Sequence, residues 1–257
     1  MHLPTPESPP DTPTQRTADR RRLLRAFNAS LALVLVLVAV FSAQGHFDVA
    51  AWSVQPWSWD GWRGVLTAPL LHGSPQHLGA NAVSLLLLGT LAGAVYPRAT
   101  WRALPLLWLG SGLGAWLLGE PGTHHLGASG IAHGLMFLVF TLGLLRRDRP
   151  AIAAAMIAFF LYGGMLLTVL PHEPGVSWQA HLGGALAGVI AAWWFRRSDP
   201  PSPRKRYSWE LEDEVAAAAS RAERDQFEPP MPREVPVLWR KPRDETGVVL
   251  RFPRRTD

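Results

Sequence analysis

Between residues 76 and 195 the chain is almost free of charge, and residues 27–43 form a second such stretch. Crossing a hydrocarbon core of roughly 30 Å takes about 17–25 apolar residues in a helix. The sequence offers six such runs, at 26–43, 77–95, 103–119, 127–145, 151–170 and 178–195. The expected fold is all-α: a polytopic membrane bundle of six transmembrane helices. Three regions follow from the change in composition. Residues 1–25 are expected to be a disordered cytoplasmic segment, 26–197 the six-span membrane domain, and 198–257 a largely disordered cytoplasmic tail.

The charges that remain report orientation. Arg98 and Arg102, then Arg146, Arg147 and Arg149, then Arg196 and Arg197 occupy alternate connections. The other connections hold a single basic residue, Arg63, beside the acidic Asp48, Asp60, Glu120 and Glu173. Lys and Arg accumulate on the cytoplasmic side of a membrane, so all Arg-rich turns fall on one side of a six-span arrangement with both termini cytoplasmic. The net charge of +5 and the isoelectric point near 10.4 are therefore topology signals and imply no nucleic-acid partner. The basic patch at 20–25 before an apolar run could mark a signal peptide, but it lies some twenty residues in and no small-x-small cleavage site follows. A retained first span is expected. The absence of Cys removes disulfides, thiolate metal sites and a Cys nucleophile.

Residues 44–75 carry Trp52, Trp57, Trp59 and Trp62, a density typical of a loop lying in the headgroup region. Gly89/Gly93, Gly110/Gly114, Gly130/Gly134 and Gly184/Gly188 are each spaced by four, which suits close helix packing in lipid. One short helix is expected in the tail near 209–224.

Ionisable or strongly polar residues inside a membrane are costly and mark function by default. The later spans have no Asp, Glu, Lys or Arg in their interiors, but they hold His77, Asn81, Ser84, Ser111, Ser129, His133, Tyr162, Thr168, Gln179 and His181. Ser129 lies in His-Leu-Gly-Ala-Ser-Gly at a helix start, where unpaired N–H groups could bind an oxyanion. A helix cap is the competing role. His181, among small neighbours, could approach another helix as a general base or simply bond a carbonyl. His77 and Asn81 share a helical face and offer N–H donors, to an oxyanion or to each other. In the six-span topology all four fall at similar depth near the non-cytoplasmic ends of their helices. No carboxylate is at hand to orient the His, so the expectation is a dyad rather than a Ser-His-Asp triad.

These residues closely resemble the rhomboid family of intramembrane serine proteases. The resemblance covers residues 60–195 and rests on Gly-Trp-Arg (61–63), Leu-Leu-His-Gly-Ser-Pro-Gln-His-Leu-Gly-Ala-Asn (70–81), Gly-Ala-Ser-Gly (127–130) and Ala-His-Leu-Gly-Gly (180–184). It implies Ser129 as nucleophile, His181 as general base, and His77, Asn81 and the Ser129 backbone N–H as the oxyanion site, with Gly127 auxiliary to it. It gives His72 a structural role and uses Trp62 and Arg63 to fix the first loop at the membrane surface. It implies cleavage of other transmembrane proteins at the bacterial inner membrane, within the bilayer, with no cofactor and no metal.

One departure stands out. Four residues after Ser129, where that family commonly has an aromatic ring against the catalytic His, this chain has His133. It could stack on His181, hydrogen-bond elsewhere, or act as an alternative base. Two other functions stay open at this point. One is a catalytically inactive relative that binds transmembrane helices. The other is a His-based metal site or transporter using His72, His77, His124, His125, His133 and His181, which the lack of carboxylates in the spans disfavours.

Overall fold

The computed structural model describes residues 13–171, 175–200 and 208–227. Among them all regular structure is helical, apart from one isolated antiparallel bridge between Val54 and His125. The helices are α1 (Pro13–Ala43), two short turns α2 (Val49–Trp52) and α3 (Gly64–Thr67), then α4 (Pro75–Val95), α5 (Pro97–Leu118), α6 (Ser129–Arg146), α7 (Arg149–Tyr162), α8 (Trp178–Phe195) and α9 (Ser208–Phe227). Among the described residues four stretches are long and apolar enough to cross a membrane: Pro13–His46, Pro75–Val95, Ser129–Arg146 and Arg149–Leu166. α5 and α8 have the length but not the hydropathy, because Gly, His, Gln, Arg and Trp replace much of their aliphatic content.

The reason lies in packing. α8 is held between α5 and α6, and its two adjacent glycines each face a different neighbour. A Cβ added at Gly183 would strike the carbonyl of Gly110 in α5, and one at Gly184 would strike the carbonyl of Gly130 in α6. Lipid gives no hydrophobic drive to helix association, so backbone-to-backbone contact between small residues supplies it. The large apolar side chains of α8, such as Leu186, Ile190 and Trp193, point outward and are exposed. Around this seam Leu85, Leu88, Leu107, Ile131, Leu138 and Leu142 form the buried core.

α1 is longer than the apolar run that anchors it. Residues 13–25, expected to be disordered, are helical. Pro13 opens the helix, no Gly or Pro follows within it, and Arg22 pairs with Asp19 one turn back at 2.8 Å. The remaining stretches expected to be disordered, at 1–12, 201–207 and 228–257, lie outside the described residues. In the tail, α9 takes up the expected helix and extends it at both ends. α7 is shorter than its apolar run: at Gly163–Leu166 the chain tightens into a 3-10 turn.

At the Arg-rich end of the bundle, three connections are clasped together. The Asp199 carboxylate accepts the N–H groups of Arg98 and Ala99 at 2.9 Å each, capping α5 from beyond α8. Arg146 donates to Asp148 Oδ2 and to the carbonyls of Asp199 and Pro200, and its guanidinium lies 5.4 Å from the Tyr96 ring centre. Asp148 caps α7 through Ala151 N–H at 2.9 Å. Asp199 and Pro200, which composition assigns to the tail, are therefore bonded to the start of α5 and the end of α6.

The segment between α1 and α4 is pinned rather than loose. Trp116 Nε1 donates to Ser58 O at 3.1 Å, Trp108 Nε1 to Leu66 O at 2.9 Å, and Thr67 Oγ1 to Trp52 O at 2.6 Å. Trp57 leans its ring on Trp116 yet stays exposed along with Trp52, Trp59 and Trp62, as suits an interfacial loop.

Candidate active site

Three helix starts bring the site together. Ser74 caps α4 by accepting from His77 N–H at 3.1 Å, and Pro75 follows it. His77 is thus fixed in the first turn, with Asn81 one turn later. α6 begins at Ser129 itself. Ser177 caps α8 by accepting from Ala180 N–H, which sets His181 in the first turn of that helix. The first N–H groups of a helix have no acceptor within it, so the start of α6 offers free donors beside the Ser129 hydroxyl.

Ser129 Oγ lies 2.8 Å from His181 Nε2, and His181 Nδ1 lies 3.0 Å from the backbone carbonyl of Thr168. The carbonyl can only accept, so Nδ1 carries the proton and Nε2 offers its lone pair to the serine hydroxyl. A main-chain carbonyl stands where a triad would have a carboxylate. His181 is buried and Ser129 half-buried.

His133 lies against this pair. Its ring stacks on His181 with centroids 3.9 Å apart and planes 13° from parallel. Its Nδ1 donates to the Ser129 carbonyl at 2.7 Å, and its Nε2 is 2.8 Å from Thr168 Oγ1. Two of the roles open from sequence, stacking and hydrogen bonding, are combined in one side chain. Both nitrogens are occupied, and neither meets the Ser129 hydroxyl.

Gly127 joins α4 to this group. Its φ of +112° is a conformation that disfavours a side chain, and a Cβ there would lie 2.5 Å from His77 Cε1 and 3.6 Å from Asn81 Nδ2. His77 and Asn81 thus flank the backbone two residues before Ser129. Asn81 Nδ2 is buried and finds no acceptor among the described residues, an arrangement proteins seldom tolerate without purpose.

His72 is fully buried behind His77, edge-on to its ring at 5.1 Å. Its main chain is clamped by the Gln44 side chain, which accepts from His72 N–H at 2.9 Å and donates to His72 O at 2.7 Å. Burial, and then the nearby His77, pull its pKa down to about 4, so the ring is neutral at neutral pH. His124 and His125 stand apart from this group as pins of the adjoining loop. His124 bonds Ser53 Oγ at 2.9 Å, while His125 bonds Thr123 Oγ1 at 2.9 Å and Ser177 Oγ at 2.7 Å. Among the described residues no three His, Asp or Glu side chains converge on a point where they could hold a metal ion.

Sequence reading left three contributors without a role. Thr168 was visible only as a polar residue in an apolar run. Gln44 had no signal at all. Ser177 had one, a hydroxyl directly ahead of the α8 pattern.

The pattern that defines the Rhomboid domain matches residues 58–198. An uncharacterized protein of Mycobacterium tuberculosis, Rv1337, is 38% identical over 206 residues, which cover 75% of this chain and 85% of that protein. ML1171, an uncharacterized protein of Mycobacterium leprae, is 41% identical over 139 residues, 51% of this chain and 55% of that one. Rhomboid-like protein 11, chloroplastic, of Arabidopsis thaliana is 25% identical over 205 residues, 72% of this chain and 71% of that protein. The matched domain takes in more than half of the chain and every residue from His72 to His181 described above, so this multi-pass membrane protein belongs to the rhomboid family.

Proposed function

We propose that the protein is an intramembrane serine endopeptidase that cuts transmembrane segments of other membrane proteins. The observation that carries this reading is the 2.8 Å contact between Ser129 Oγ and His181 Nε2, with the opposite ring nitrogen tied to a carbonyl. In that tautomer Nε2 accepts the hydroxyl proton as Oγ attacks the scissile carbonyl carbon. The negative charge that develops on the former carbonyl oxygen is met by the Ser129 N–H, the His77 ring and the Asn81 amide, grouped around Gly127. His181 then gives the proton to the departing amine as the C–N bond breaks, leaving an acyl ester on Ser129. A water, deprotonated by His181, attacks that ester and frees the serine.

The rest of the assignment follows from the same reading. α1, α4, α5, α6, α7 and α8 are the six spans, in a bacterial-type inner membrane, with both termini cytoplasmic and the Arg-rich clasp on that side. The reacting groups, in the first turns of α4, α6 and α8, then lie toward the opposite face, where water can enter. Substrates are transmembrane helices locally rich in helix-breaking residues, because a helical peptide bond is shielded by its own hydrogen bonding.

The test is cleavage of a single-span reporter in proteoliposomes, together with labelling of the purified protein by a fluorophosphonate, which reacts with activated serines. Wild type should cleave and label, and Ser129→Ala and His181→Ala should do neither while melting like wild type. Equal turnover in either variant would refute the dyad. Intact substrate binding without any cleavage by wild type would favour an inactive helix-binding relative.

A further inference from the structure

Thr168 touches both histidines of the site through different atoms. Its backbone carbonyl accepts from His181 Nδ1 at 3.0 Å, and its side-chain hydroxyl lies 2.8 Å from His133 Nε2. It sits beyond the 3-10 turn that ends α7, on neither histidine's own helix. The two rings it touches are stacked on each other.

Counting donors and acceptors locates the protons. The Ser129 carbonyl is an acceptor only, so the proton of His133 sits on Nδ1, 2.7 Å away. A neutral ring then has a bare lone pair at Nε2, and the Thr168 hydroxyl must donate to it. The same hydroxyl also lies 3.2 Å from the Met165 carbonyl. One proton cannot serve both, and the shorter contact is the one to His133. With both nitrogens committed, His133 cannot take the Ser129 proton, and it cannot rotate without breaking two hydrogen bonds. It is held as a flat plate against His181.

We infer that Thr168 is a positioning residue of the reaction: its carbonyl sets the tautomer of His181, its hydroxyl sets that of His133, and the two contacts keep the stacked pair in register. This rests on the Ser129–His181 reading. Under it, the ring that stands in for the family's aromatic has a hydrogen-bond requirement a hydrocarbon ring lacks, and Thr168 supplies it. The prediction is specific to the hydroxyl and to the imidazole it meets. In a chain with a phenyl ring at position 133, the hydroxyl has nothing to do.

The experiment measures the fluorophosphonate labelling rate of Ser129 in the full-length protein in proteoliposomes, for wild type, Thr168→Val, Thr168→Ser, His133→Phe and the Thr168→Val/His133→Phe double variant. Thr168→Val keeps the carbonyl and the branched shape but deletes the donor, and should slow labelling about three- to tenfold, as loss of one buried neutral hydrogen bond does. Thr168→Ser restores the hydroxyl and should label within about twofold of wild type. In the His133→Phe background, Thr168→Val should add no further loss, since coupled residues are non-additive. Thr168→Ala, which also lacks the hydroxyl, carries the same comparisons if the valine variant does not fold. Wild-type labelling by Thr168→Val, failure of serine to rescue, or the same fold-loss in the His133→Phe background would each overturn the inference alone. A wild-type protein as silent as Ser129→Ala would overturn the protease reading, and the inference with it.

Discussion

The imidazole of His133 lies flat on that of His181, with ring centroids 3.9 Å apart and planes 13° from parallel. A stacked ring limits the swing of its neighbour, and such pairs contribute about 0.5–1.5 kcal/mol beyond the area they bury. His133→Ala should therefore slow peptide cleavage by about tenfold or more, through loss of the stack and of the contact to the Ser129 carbonyl. His133→Phe keeps a flat ring and should retain more activity than the alanine variant. The ordering of the two rates in a proteoliposome cleavage assay is the check; equal rates would mean that the stack does nothing.

Asn81 Nδ2 is buried beside Gly127 without an acceptor among the described residues. A donor held ready for a charge that appears only during reaction has this character. Asn81→Ala should reduce turnover by roughly 10²–10³-fold, with apparent substrate affinity little changed. Steady-state kinetics on a reporter substrate separate the two quantities, and a loss confined to affinity would remove Asn81 from the oxyanion site.

The clasp at the other end of the bundle should affect stability and spare chemistry. Asp199 is buried and accepts two backbone N–H groups at the start of α5. Asp199→Ala should cost about 0.5–2 kcal/mol, the usual worth of a lost helix cap. Thermal unfolding in detergent would register it. Fluorophosphonate labelling at temperatures where the variant stays folded should match wild type.

His72 gives the stability a dependence on pH. Its pKa falls from the ordinary 6.5 to about 4 in the folded protein, chiefly through burial. The unfolded chain thus binds the proton more readily, and stability rises with pH wherever that holds. The His72 contribution is fully present above about pH 6.5 and is lost as pH falls toward 4, a loss of the order of 3 kcal/mol at the acid end. His72→Phe should flatten the acid limb of a melting-temperature-against-pH curve. An unchanged limb would assign the acid sensitivity to other groups.

The apolar runs were readable because length and absence of charge are properties of the linear chain. Ser129 and His181 were readable as a pair because polar atoms inside such runs demand partners, and the two do meet. Other features carry no such mark. The break of α7 at Gly163 falls in a stretch that stays apolar, so hydropathy does not register the change from α to 3-10 geometry. Asp199 closes its bond to Arg98 across 101 positions, from a Pro-rich stretch that reads as tail. The acceptor that orients His181 is a main-chain carbonyl, which any residue at position 168 would supply. His133 was legible as a departure but not in its resolution: one ring both stacks and hydrogen-bonds, because Thr168 Oγ1 meets the nitrogen left over by its bond to the Ser129 carbonyl.

Because Gly183 meets one neighbouring backbone and Gly184 another, α8 has no freedom to turn or slide without collision on one side. The imidazole it carries two positions earlier inherits that restraint, while the hydroxyl rides on α6, one of the two walls. The tight approach of α8 to both neighbours and the separation of the Ser129 hydroxyl from the His181 imidazole thus rest on the same pair of glycines, and a side chain at either would disturb both.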